Sequence, residues 1–74
     1  MKVYAVCYHV FYEDTTILSL HKTKETANNT ALEIYQSDLS VDNEVDKSYD
    51  NGMIVLTTDF DMYYVKELEL EEWN

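Results

Sequence analysis

The chain has 74 residues, 46% of them hydrophobic, and a formal net charge of −10 from 15 acids against five lysines. That is one domain (1–74), near the lower end of what folds without staples, too apolar for a disordered segment, and opposite in sign to the basic footprint by which nucleic-acid binders displace counterions. A lone cysteine, Cys7, excludes a disulfide framework; no apolar run follows a basic start as in a signal peptide, and none reaches the roughly 18 residues of a membrane span, so the expected location is cytoplasmic.

Lys2 to Tyr12 is rich in Val, Tyr and Phe with no breaker, which predicts a strand. Val3, Ala5, Cys7, His9 and Phe11 share one face; Tyr4, Val6, Tyr8, Val10 and Tyr12 share the other. Neither face is polar, so the strand belongs inside the sheet. Glu13-Asp14 offers a turn, and Thr15 to His21 reads as a second strand with Thr16, Leu18 and Leu20 on one side. Thr23 is the expected N-cap of a helix over Lys24 to Ser37. Ala27, Ala31, Ile34 and Tyr35, with Leu32 at the margin, recur at helical spacing opposite Glu25, Asn29, Glu33 and Gln36, an amphipathic pattern.

Asp38 to Gly52 is a polar stretch, long for a loop in so small a domain. Met53 to Thr58 is apolar on both faces and reads as a central strand. Asp59-Phe60-Asp61 turns the chain, and Met62 to about Leu70 is the last strand, its alternating glutamates marking a guarded edge. The elements predict an α+β fold of ββαββ type: a four-stranded antiparallel sheet in the order 2-1-3-4 with the helix on one face. The alternative order places the fourth strand beside the first. Small Ala5 and Cys7 suit the helix side, which leaves Tyr4, Tyr8 and Tyr12 lining an open face. Tyrosines bury area while keeping a polar tip, so this stripe is a candidate partner or dimer surface.

Motifs for catalysis are absent. Cys7 and His9 sit at i and i+2, but no oxyanion donor or orienting group accompanies them. Cys7, His9 and His21 do not match a zinc spacing. Asp42, Glu44 and Asp46 imitate the start of a calcium loop, yet Lys47 stands where its glycine belongs and Met53 where its closing glutamate belongs. No cofactor is expected, and the chain reads as a non-enzyme.

The charge is uneven. Residues 1–37 carry three lysines against four acids, a net of −1; residues 38–74 carry two against eleven, a net of −9. Glu67, Glu69 and Glu71 fall on one face of the last strand, about 6.6–6.8 Å apart if extended. Such a row imitates a phosphate backbone. Asp42, Glu44, Asp46, Asp50, Asp59, Asp61, Glu67, Glu69 and Glu71 are the candidate contacts to a basic protein surface, and Trp73 is a candidate anchor. A solvated edge accounts for the same charges without a partner.

The short N-terminal hairpin, the helix entry His21-Lys22-Thr23-Lys24-Glu25-Thr26-Ala27 and the tyrosine-rich acidic closing strand resemble small bacteriophage accessory proteins of the anti-CRISPR and anti-restriction type. The likeness is one of architecture and composition. It implies a non-enzymatic inhibitor in the host cytoplasm, some of that class acting as DNA mimics in a nuclease groove. The other expectation is a homodimeric structural or regulatory module joined through the tyrosine face.

Overall fold

A computed structural model describes residues 1–37 and 46–70. They form β1 (Lys2–Val10), β2 (Thr15–His21), α1 (Lys24–Ser37), β3 (Asp46–Asp50), β4 (Met53–Thr57) and β5 (Asp61–Glu69). The strands make one antiparallel sheet in the order β2-β1-β5-β4-β3. The architecture is α+β, but the sheet has five strands, not four, and the order 2-1-3-4 is replaced.

The fifth strand lies in the stretch read as a loop. Asp46–Asp50 is polar and exposed along its whole length, so it carries no hydrophobic alternation to announce it. Its partner β4 holds it in register from Asp46↔Thr57 to Asp50↔Met53. The connection is Asn51-Gly52, with φ of 51° and 79°. Two successive positive φ values are what a type I′ hairpin turn requires, and Asn-Gly is its preferred sequence.

From β2 at one edge, α1 leads toward β3 at the other, and β3-β4-β5 meander back. The last strand thus lies beside the first. Its nine residues match β1 from Lys2↔Glu69 to Val10↔Asp61, so β5 is central and not an edge. Its ladder with β4 takes in only Met62, Tyr63 and Tyr64, and its C-terminal end therefore runs past β4.

The helix starts where Thr23 caps it: the amide of Thr26 donates to Thr23 Oγ1 at 3.2 Å. Ala27, Ala31 and Tyr35 bury one face against Val6, Ile54, Leu56, Tyr63 and Val65, with Tyr4 and Tyr8 half-buried in the same cluster. The helix therefore covers the Tyr4-Val6-Tyr8 face of β1, the reverse of the expected side. The reason is volume. Alanines on the helix leave depth that Tyr63 and Val6 fill, whereas Ala5 and Cys7 against Ala27 and Ala31 would leave a void. Tyr63 meets Tyr8 at 4.6 Å between centroids and Tyr35 edge-on at 6.1 Å.

The helix also grips the β3–β4 turn. Lys24 Nζ donates to the Asn51 carbonyl at 2.8 Å. One turn on, Asn28 Nδ2 donates to the Gly52 carbonyl at 2.8 Å, and Asn28 Oδ1 accepts the Ile54 amide at 3.0 Å.

Candidate partner-binding surface

The end of the sheet where β1 finishes and β5 begins carries two adjacent turns. In the first, the Glu13 amide donates to the Val10 carbonyl at 2.9 Å, and Tyr12 has φ of 72°. A positive φ at the third residue is the pattern of a type II turn, where glycine is usual. Tyr12 holds it at a cost of about 1–2 kcal/mol and is wholly exposed, at 104%.

The second turn is built by Thr58 and Asp61. Thr58 Oγ1 donates to Asp61 Oδ1 at 2.6 Å and accepts the amides of Phe60 at 3.2 Å and Asp61 at 3.1 Å. Tyr8 from the neighbouring strand donates its hydroxyl to Asp61 Oδ2 at 2.8 Å. Phe60 is left 67% exposed. A bond from the Phe11 amide to the Phe60 carbonyl, 3.0 Å, ties the two turns together. Exposed Glu13, Asp14 and Asp59 flank the two aromatic side chains, and exposed Asp46 opens β3 opposite Thr57 at the same end.

Comparison with protein families, curated proteins and solved structures finds no match to this chain.

The acids singled out from the sequence fall into three groups. Asp46, Asp50 and Asp59 are exposed, and among the described residues no ion pair involves them. Asp61 is half-buried and holds its turn. Glu67 and Glu69 are exposed on the side of the sheet that the helix covers, as the strand alternation requires, but each has a cation beside it. Lys2 Nζ lies 3.9 Å from Glu67 and the N-terminal amine 3.1 Å from Glu69. The anionic row thus sits on a central strand that overhangs β4, with its charge partly offset. Asp42, Glu44, Glu71 and Trp73 lie outside the described residues.

The tyrosine stripe divides. Tyr4 and Tyr8 are half-buried in the cluster under the helix, and only Tyr12 stands clear. The other face of β1 carries Val3, Ala5 and Cys7, all fully buried. In register with them are Leu68, Lys66 and Tyr64 of β5 and, beside Ala5 and Cys7, Leu20 and Ile17 of β2.

Cys7 and His9 each turn to another partner. The Cys7 thiol is directed to the Ala5 carbonyl at 3.8 Å, and burial pushes its pKa up, against the weaker pull of Lys66 and a hydrogen bond with Tyr64. His9 Nδ1 pairs with Thr15 Oγ1 at 3.0 Å, and His21 Nε2 with Ser19 Oγ at 2.8 Å. Among the described residues, no three His, Cys, Asp or Glu side chains gather as a metal site, and no helix is long and apolar enough to cross a membrane.

Sequence reasoning missed Phe60, exposed on the turn tied to that of Tyr12, and the acids Glu13 and Asp14. A signal was present: both Phe11-Tyr12-Glu13-Asp14 and Asp59-Phe60-Asp61 place an aromatic residue among acids in a turn.

Proposed function

We propose that this chain is a non-catalytic binding domain that blocks a basic surface on a nucleic-acid-handling host protein in the cytoplasm, as anti-CRISPR and anti-restriction inhibitors do. The observation that carries this reading is the uncompensated charge. The chain holds −10, and exposed Asp46, Asp50 and Asp59 have no cation paired with them among the described residues. Long-range attraction from such a field speeds encounter with a basic groove and suppresses wrong partners. Tyr12 and Phe60 supply what charge alone lacks, an apolar anchor that enters a pocket and shuts water out.

The test has two steps. The chain is used to capture proteins from a bacterial lysate at low and high salt, and the captured proteins are identified by mass spectrometry. Nucleic-acid binding by each captured protein is then measured with and without the chain. The expected result is competition that weakens with salt and falls about tenfold or more in the combined Asp46→Asn, Asp50→Asn, Asp59→Asn variant. A captured protein that keeps its nucleic acid in the presence of the chain, or competition indifferent to those three substitutions, defeats the proposal.

A further inference from the structure

The two edges of the sheet are unlike. β3, Asp46–Asp50, is five residues long and carries Asp46, Lys47 and Asp50, the short charged kind of edge that repels a neighbouring strand. β2, Thr15–His21, has seven residues and no Asp, Glu, Lys or Arg, in a chain where those make up 27%. It pairs on one side only, with β1, and among the described residues no strand lies beyond it. Ile17, Leu18 and Leu20 are exposed at 51%, 41% and 44%. An uncharged edge with unpaired backbone donors and acceptors and three exposed aliphatic side chains is a template for another strand.

We propose that the strand it takes is β2 of a second copy, antiparallel, about a two-fold axis between Leu18 and Ser19. Two features of this chain favour its own copy. The first is charge: residues 1–37 carry a net of −1 against −9 for the rest, so this edge is where two like-charged copies meet with least repulsion. The second is the irregularity in β2. Val6 faces Ser19 but Cys7 faces Ile17, so Leu18 is an extra residue. Thr15, Ile17 and Leu20 consequently share the face away from the helix, while Thr16, Ser19 and His21 share the helix side, and the expected Thr16-Leu18-Leu20 side is broken.

A bulge commonly turns an edge out of a neighbour's reach. Here both copies carry the same extra residue, and it makes one register self-complementary. With the axis between Leu18 and Ser19, Ile17 meets Leu20 of the second copy on one face and Thr16 meets its His21 on the other. Shifting the axis onto Leu18 sets Ile17 against Ser19, which point to opposite faces. The contact is small beside the roughly 20–30 residues a side of a standard interface, so the association is weak and reversible.

Sedimentation equilibrium of the full chain tests it. The average mass is expected to rise from 8.7 kDa toward twice that value as concentration approaches about 1 mM. It rises further at about 0.5 M salt, which screens the repulsion between copies. The salt dependence is thus opposite in sign to that of binding a basic partner, and either result stands without the other. Ile17→Lys, at an exposed position, returns the monomer with an unchanged circular dichroism spectrum. The register is read by oxidising an equimolar mixture of Ile17→Cys and Leu20→Cys chains: mixed disulfides form in preference to like ones, because like positions lie about 10 Å apart along the strands. A monomer at about 1 mM, a dimer indifferent to Ile17→Lys, or like and mixed disulfides in equal yield overturns the proposal.

Discussion

Replacing Asn28 by alanine removes the clamp between α1 and the β3–β4 turn. Two bonds go. The Gly52 carbonyl sits at an exposed turn and finds water in place of Asn28 Nδ2, at little cost. The Ile54 amide belongs to a residue with no exposed surface and loses its acceptor, Asn28 Oδ1 at 3.0 Å. An orphaned buried donor costs about 1–3 kcal/mol. Alanine returns about 0.5 kcal/mol through its higher helix propensity. The net expectation is a loss of about 0.5–2.5 kcal/mol, and each kcal/mol moves the Tm of a domain this size by about 4–8 °C. The neighbour Asn29, exposed on the same helix, is the control, since Asn29→Ala carries the propensity gain alone. Urea and thermal unfolding followed by circular dichroism measure both variants. If Asn28→Ala and Asn29→Ala are equally stable, the clamp contributes nothing and the reasoning fails.

Gly52→Ala costs about 1–2 kcal/mol, because φ of 79° is unfavourable for any side chain even though the nearest atom, Lys24 Cδ at 3.7 Å, leaves room; unchanged urea unfolding would show that the turn relaxes freely. Tyr12→Gly relieves the same kind of strain, so stability holds or rises by up to about 1 kcal/mol while affinity for a captured partner falls; a marked loss of stability would place the Tyr12 ring in the folded packing. Cys7 stays unlabelled by thiol reagents until the chain unfolds. Its folded pKa is raised above the ordinary 9.0, so the folded state holds the proton more tightly. Stability is then full below pH 9 and is lost as pH rises above it; stability flat through that range would contradict the assignment.

The helix was legible in the sequence to its bounds, because Thr23 caps it and Ala27, Ala31 and Tyr35 repeat at its period. β2 was legible too, since Thr, Ile and Leu in a short run without Gly or Pro leave little choice. β3 was not. Ser48 and Tyr49 sit between charges on a strand exposed on both faces, and its only signal was the Asn51-Gly52 turn behind it. The face of β1 was misread because small residues were matched to small ones, when packing needs complementary volumes. Among candidate contacts, Asp46, Asp50 and Asp59 were legible as charge, since charge needs no neighbours to be counted. The structural duty of Asp61 was not, for it depends on Tyr8, 53 residues away in the chain, and neither was the bond from the Phe11 amide to the Phe60 carbonyl that brings two turns together.

The central position of β5 sets the order in which this molecule comes into being. Its pairs with β1 join residues from 51 (Val10, Asp61) to 67 (Lys2, Glu69) positions apart, and such distant closures slow folding. A nascent chain that ends before Asp61 owns two hairpins and a helix with nothing between them. An isolated hairpin is at best marginal in water. Synthesis therefore has to reach β5 before there is a core, and the sheet closes in one late step, when that strand slides into the middle.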